Sequence, residues 1–305
     1  MREIIKCPYC GAEIEVIQGV PIVSCSYCGT SIKVKTGERF KEHYLFRINY
    51  DYNSAYEKLI GLVSREVGSP KDLVVNSAPS GGTLHFIPLY VFHIDLRAMR
   101  GEQKVSEEVE DISVLASDKV FVPIPKGYRF PVRGRLYFSP RIVKRGIYLS
   151  PSISPEGVLM TTEIPFREKV VREAILETGS KNIEVVSNSK FTGLAHYPFW
   201  EIKYSYGNKE YTGYVDACDG TVVYAEHPKT LEIRVITSIL TLLFSSALAG
   251  LLITLISSEI LPLEGLIGGL LTSLPTLAIV LRRGIGEKGV YVLEVRKVGI
   301  SEEVR

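Results

Sequence analysis

Two Cys-x-x-Cys-Gly knuckles, Cys7-Pro-Tyr-Cys10-Gly and Cys25-Ser-Tyr-Cys28-Gly, lie fourteen residues apart near the amino end of a 305-residue chain. Four thiolates at this spacing can close a tetrahedron around one Zn²⁺, with sulfurs at about 2.3 Å from the metal. The glycine after each second cysteine lets the backbone turn back so that amide groups face the sulfurs. Four protein ligands leave no coordination position open, so zinc is expected to be structural. It would supply the folding energy that a module of roughly 35 residues cannot draw from its own core. A mononuclear iron site uses the same donors. Paired disulfides are the competing reading and fit poorly with the reducing, cytoplasmic placement that the flanking charges of a later segment imply.

The elements that must position these thiols are short strands, read over Glu13–Ile17, Val20–Ser24 and Ser31–Lys35. Together they predict a zinc ribbon over residues 1–38. Its charge argues about partners: Arg2, Lys6, Lys33 and Lys35 stand against Glu3, Glu13 and Glu15, and phosphate binding usually needs a larger excess. Contact with a protein, or plain structural capping, is the expected role. Over the whole chain, 36 basic and 34 acidic residues give a formal charge of +2, which excludes a polyanion-coating protein of the histone kind.

The middle of the chain repeats itself. Glu66-Val-Gly-Ser-Pro-Lys-Asp-Leu-Val-Val-Asn-Ser77, then Leu84-His-Phe-Ile-Pro-Leu-Tyr90, returns 110 to 111 residues later as Glu177-Thr-Gly-Ser-Lys-Asn-Ile-Glu-Val-Val-Ser-Asn188, then Leu194-Ala-His-Tyr-Pro-Phe-Trp200. Each copy is read as an amphipathic helix (Tyr56, Leu59, Ile60, Val63; then Phe166, Val170, Val171, Ile175) ending at Gly68 or Gly179. A short β-branched strand follows, and a Pro-x-aromatic sequence then opens a longer one at Pro88 or Pro198. Cys218-Asp219-Gly220 reads as the turn of a β-hairpin between Tyr211–Ala217 and Thr221–Ala225. The fold class expected is α+β: repeated α+β modules at 45–118 and 161–230, joined by a β-rich connector at 119–160.

Hydropathy is concentrated further on. Val235 to Ser258 is 24 residues without a charge, and thirteen Leu, Ile, Val and Phe fall between Val235 and Ile256. That length matches a hydrocarbon core of about 30 Å. A second run, Gly265–Leu281, is charge-free over 17 residues. The two predict a transmembrane helical hairpin at 235–281. Arg234, Arg282 and Arg283 flank it with no Lys or Arg between, which would place both termini in the cytoplasm. The first residues lack the apolar stretch of a secretion signal. A last strand and tail are expected over 289–305.

The C-P-x-C-G-like knuckles, the Pro-x-aromatic strand in each half, Tyr197-Pro-Phe-Trp200 and the strand ending Val215-Asp-Ala-Cys-Asp-Gly-Thr-Val-Val223 ahead of the apolar run together resemble the membrane-anchored proteins with a TFIIB-type zinc ribbon found in bacteria and archaea. The resemblance implies a bilayer-bound protein, connected in some relatives with membrane-stress and scaffold systems. It implies no catalytic residues. The helicase or primosomal label sometimes attached to such proteins has no support here, because the chain contains no Gly-x-x-x-x-Gly-Lys-Ser/Thr loop.

Between Lys119 and Pro155 stand eight basic residues, Lys119, Lys126, Arg129, Arg133, Arg135, Arg141, Lys144 and Arg145, with no acid and with Tyr128, Phe130, Tyr137, Phe138 and Tyr148 interleaved. Three readings remain open for this stretch: a solvated face paired with the acid-rich Glu102–Asp118 segment, contact with anionic head groups, or contact with single-stranded nucleic acid. Gly284-Ile-Gly-Glu-Lys-Gly289 follows an apolar run and leads into a strand, the wrong context for a dinucleotide loop, and reads as an exit loop. His43, His85, His93, His196 and His227 show no metalloenzyme spacing and read as structural. Cys218 reads as inert. Three Met and two Gln among many Lys and Glu hint at a thermophile. The function expected is a non-enzymatic, membrane-anchored zinc-ribbon adaptor that recruits a protein partner. The alternatives are a tethered nucleic-acid binder, and an enzyme with a site where the two copies meet.

Overall fold

The computed structural model describes residues 2–138, 146–232 and 288–295, with scattered positions between 235 and 254. Strands β1 (Arg2–Lys6), β2 (Glu13–Ile17), β3 (Ile22–Ser24) and β4 (Ser31–Lys33) form two antiparallel pairs, β1 with β2 and β3 with β4. In β2 the alternation is visible directly: Ile14 and Val16 are buried while Glu13 and Glu15 face out.

All later strands join one sheet of ten: β5 (His43–Phe46), β6 (Ser77–Arg100), β7 (Gln103–Leu115), β8 (Arg135–Tyr137), β9 (Ile147–Tyr148), β10 (Glu184–Ser187), β11 (Lys190–Tyr206), β12 (Lys209–Asp216), β13 (Val222–Pro228) and β14 (Lys288–Val292). Helices α1 (Tyr52–Val63), α2 (Leu73–Asn76) and α3 (Pro155–Thr178) complete the described elements. The described residues are therefore mostly β-sheet, and the expected α+β class is corrected. The acid-rich segment after Gly101 is a full strand, β7, which pairs with β6 from Arg100↔Gln103 to Leu89↔Leu115. Val105, Ile112 and Val114 pack against the core of the sheet, whereas Val109 is exposed among the charges.

The centre of the sheet is the antiparallel pair β6 and β11. Ile87 pairs with Tyr197, and these two residues are 110 apart, the spacing of the sequence match, so equivalent residues meet at a local twofold axis. The same symmetry sets the ends, where Ser77 pairs with Tyr206 and Ser187 with Leu96. Short strands obey it too: β5 runs parallel to β11, and β9 runs parallel to β6.

The helices cross between the two copies. α1, which precedes β6, packs on β11, β12 and β13, whereas α3, which precedes β11, packs chiefly on β6 and β7. Each copy's helix covers the other copy's strands. α1 is started by Asp51, whose carboxylate accepts the Ser54 N–H at 2.8 Å. It buries Ala55, Leu59, Ile60 and Val63 against Ile202, Tyr204, Tyr211 and Val215, the larger side chains contributing roughly 1.5–3 kcal/mol each by removal from water. α3 begins at the Ser154 cap and stops at Gly179, whose φ of 67° is the left-handed end that glycine accepts. α1 ends at Val63, earlier than the Gly68 expected. Leu73–Asn76, read as a strand, is the single turn α2; only its counterpart β10 is extended.

Pro88 and Pro198 lie inside their strands rather than at the first position. Each carbonyl accepts from a residue just past the end of the neighbouring strand, Ala116 N–H to Pro88 at 2.9 Å and Ala217 N–H to Pro198 at 3.1 Å. The missing proline N–H faces the same way, where the ladder has already stopped, so no sheet hydrogen bond is lost. The hairpin β12–β13 turns at Gly220, with φ of 80°, close to the expected position. β14 pairs with β13 and returns the chain to the sheet.

The expected two-helix membrane protein is corrected as well. A span needs about twenty mainly apolar helical residues, and among the described residues no helix is long and apolar enough to cross a membrane. α1 has 12 residues, and α3, with 24, carries Glu156, Glu163, Arg167, Lys169, Arg172 and Glu173. Most of 235–281, together with 284–287 of the expected exit loop, lies outside the described residues.

The crossed packing predicts that neither half folds alone. A fragment ending at Asp118 should show no cooperative melt. Mixing it with the fragment beginning at Lys119 should restore one, as followed by circular dichroism. A cooperative transition from either fragment by itself would contradict the interleaved sheet.

Candidate functional site

The knuckles fold as two copies of one turn. Gly11 N–H donates to Cys7 O at 2.9 Å and Gly29 N–H to Cys25 O at 2.7 Å, while Cys7 N–H reaches Ala12 O and Cys25 N–H reaches Thr30 O. Gly11 and Gly29 take φ of 78° and 65°, the conformation that the sequence pattern anticipates. The sulfurs of Cys7, Cys10, Cys25 and Cys28 all lie within 4.8 Å of one another. Cys7 Sγ is 3.6 Å from Cys28 Sγ, and Cys10 Sγ is 3.6 Å from Cys25 Sγ. A regular tetrahedron with 2.3 Å zinc–sulfur bonds has edges of about 3.8 Å, so the cluster could hold a metal ion and fits zinc. A disulfide needs about 2.05 Å, and all four cysteines are free.

Burial pushes the Cys25 thiol up to about 12 and raises Cys7 also. For Cys10 the rise from its slight burial is outweighed by the Ala12 amide and the neighbouring thiols, which hold it below the ordinary value. Loading the site with metal therefore displaces protons, and affinity falls on acidification. The ribbon is anchored to the sheet beside the cluster: a Cβ on Gly29 would meet the Phe138 ring at 2.8 Å and Tyr148 at 3.1 Å, and Ser24 N–H donates to Ser150 Oγ at 3.1 Å.

Under the ribbon sits a buried histidine pair that sequence reasoning left as isolated structural residues. His43 Nε2 is 2.8 Å from His196 Nδ1, and His196 Nε2 is 3.0 Å from Leu149 O. A carbonyl can only accept, so His196 carries its proton on Nε2 and its Nδ1 accepts from His43 Nε2–H. Both rings are then neutral, which leaves His43 Nδ1 a buried acceptor with no partner. Burial lowers both: His196 falls to about 4, and His43, with His196 and Arg39 adding to the effect, lies well below the ordinary value.

The basic segment crosses the opposite face. Phe130 bridges Ser113 of β7, and Ser113 Oγ donates to Pro131 O at 3.0 Å. Tyr128 Oη donates to Asp216 Oδ2 at 2.5 Å, and Tyr197 Oη donates to the same oxygen at 2.7 Å. Asp216 Oδ1 accepts from Cys218 N–H at 2.7 Å. Burial raises the Asp216 carboxyl despite these donors, and it raises both tyrosines and the Cys218 thiol beyond their usual ranges. This network pins the segment onto the sheet, and no pattern local to the sequence connects its members.

Beside it lies an open cleft of about 680 Å³, lined by Phe46, Arg47, Asn49, Arg129, Phe130, Arg133, Arg135, Cys218 and Asp219 among others. Of the candidate basic residues, Arg129, Arg133 and Arg135 come together here and are joined by Arg47, which the sequence did not single out. Lys126 is exposed outside the lining. Arg141, Lys144 and Arg145 lie outside the described residues. The expected pairing with the acid-rich strand is not formed among the described residues. Glu107, Glu108 and Asp111 instead pair with Lys104, Lys169 and His93.

The chain matches no protein-family model, no curated protein and no solved structure. What stands of the resemblance is the tetra-cysteine cluster itself.

Purified protein should contain one equivalent of zinc by atomic emission, lost in Cys7→Ser/Cys10→Ser. A chelator should melt residues 2–38 first, seen as loss of amide protection. Less than half an equivalent in wild type would contradict the tetrahedral site. The histidine pair makes a pH prediction. Because folded His196 titrates below its unfolded value of about 6.5, its contribution to stability is present above that value and is lost as pH falls toward about 4. The gap in denaturation midpoint between wild type and His196→Gln should therefore narrow over that window. A gap independent of pH would mean that the pair does not titrate.

Proposed function

We propose that the chain is a non-catalytic adaptor whose zinc ribbon recruits a protein partner. The observation that carries this reading is the pair of knuckle tyrosines. Tyr9 and Tyr27 are 58 % and 69 % exposed on either side of the cysteine cluster, and Ile4 on β1 is 64 % exposed. Tyrosine offers a large, stiff contact surface at low entropic cost and is enriched at protein interfaces. The ribbon's near-neutral charge suits a partner of the same kind better than a polyanion. Its seat on Phe138 and Tyr148 holds that surface in a fixed orientation, which lowers the ordering cost of association.

Two further points favour binding over catalysis. Four thiolates saturate a tetrahedral ion, so the metal would lack an open position for substrate. Where the two copies meet, Phe86, Ile87, Leu89, Tyr197 and Phe199 are at most 1 % exposed, so that contact is packed.

The test immobilises the full chain and compares what wild type and Tyr9→Ser/Tyr27→Ser retain from extract of the source cells, with zinc content and thermal melt measured on both. A partner held by wild type should be lost from the double variant while metal and melt stay unchanged. Recovery of the same proteins by both removes the ribbon as the recruiting surface.

A further inference from the structure

Arg47 follows β5, Arg129 and Arg133 lie in the segment pinned by Asp216, and Arg135 opens β8. They are brought to one cleft because β5 and β8 pair, with Phe46 opposite Arg135 and Tyr44 opposite Tyr137. Among the described residues none of the four forms an ion pair. Arg135 Nη1 is buried with no hydrogen-bond partner, although its guanidinium lies over the Tyr44 ring at 5.2 Å. The one acid in the lining, Asp219, already accepts Thr221 N–H at 2.8 Å. A desolvated guanidinium donor left unpaired is costly, and an anion is what would satisfy it.

Size and texture narrow the anion. The cleft of about 680 Å³ has the dimensions of a site for a ligand larger than a single phosphate, and it is open rather than enclosed. Guanidinium groups bind phosphate oxygens in a planar, forked geometry. Rings stand next to them: Phe130 is half-buried in the wall, and Tyr137, 77 % exposed, sits 5.3 Å from Tyr44. Separate cations along an open groove with stackable rings at its edge match a chain of phosphodiesters carrying flat bases.

We propose that this cleft binds single-stranded nucleic acid, with Arg47, Arg129, Arg133 and Arg135 taking the phosphates and Tyr137 offering a stacking face. The site is on the arginine segment and not on the ribbon, so it stands independently of the tyrosine surface: loss of one leaves the other intact.

The probe is a short fluorescently labelled oligodeoxythymidine, titrated with the full chain and followed by anisotropy at several salt concentrations. Wild type should bind, with a slope of log affinity against log salt of about −0.7 for each phosphate engaged. Arg129→Glu/Arg133→Glu should bind roughly tenfold or more weakly with a shallower slope, while Arg100→Glu, an exposed charge removed elsewhere, should bind as wild type. Arg129→Gln/Arg133→Gln gives the same comparison without adding acids, should the first variant fail to fold by circular dichroism. Tyr137→Ser should weaken binding without changing the slope. Absence of binding at low salt, affinity unchanged in both arginine variants, or equal displacement by polyglutamate would each overturn the proposal, the last by pointing to an acidic protein segment instead.

Discussion

Everything in the sheet depends on one antiparallel pairing, β6 against β11 across the local twofold at Ile87 and Tyr197. Strand pairing over this length specifies register strongly, since a slip of one residue would turn the side chains of the slipped strand to the opposite face. The pairing decides which helix meets which strands. With the two central strands running oppositely, each copy's helix arrives over the far copy's hairpin, and the cores under α1 and α3 are each assembled from both copies. The resulting contacts are distant in sequence, so their loop-closure cost must be met before any of them stabilises the fold.

The ribbon uses the same sheet differently. Its own strands are too short to bury a core, and Cys7, Cys25 and Cys28 share one apolar cluster with Leu84, Phe86, Phe138 and Tyr148 of the body. The sheet covers the underside of the module, and a metal held by the four thiols would cross-link its turns from the other side. The neutral histidine pair lies at this junction. Its depressed basicity follows from burial, because a charged imidazole there would give up hydration with no carboxylate to replace it.

The arginine cleft shows how charge that is unremarkable in total becomes concentrated in space. A chain with a formal charge of +2 has no global field to speak of. Three of the four acids of β7, Glu107, Glu108 and Asp111, pair with Lys104, Lys169 and His93, and the Asp216 network holds the connector so that its guanidiniums gather instead of spreading into solvent. Partner selection by such a patch rests on local geometry rather than on net charge.

The sequence alone determined what is local. The four cysteines and their glycines encode the knuckle turns within five residues each, which is why the cysteine cluster could be read directly. Gly179 and Asp219-Gly220 likewise announced a helix end and a hairpin through backbone conformations that few residues accept. Helix periodicity at Leu59, Ile60 and Val63 marked a buried face, but not the strands it covers. Only the tertiary structure decided that the copies interleave, that the acid-rich stretch is a strand, that His43 meets His196 across 153 positions, and that Arg47 joins Arg129, Arg133 and Arg135. Hydropathy, a sum over residue types, indicated two spans where no described helix has the length and apolarity to cross a bilayer. The physical reason is common to all of these: turns and caps are set by the residue and its neighbours, whereas pairing and packing are set by which surfaces exclude water together, and that is a property of the assembled chain.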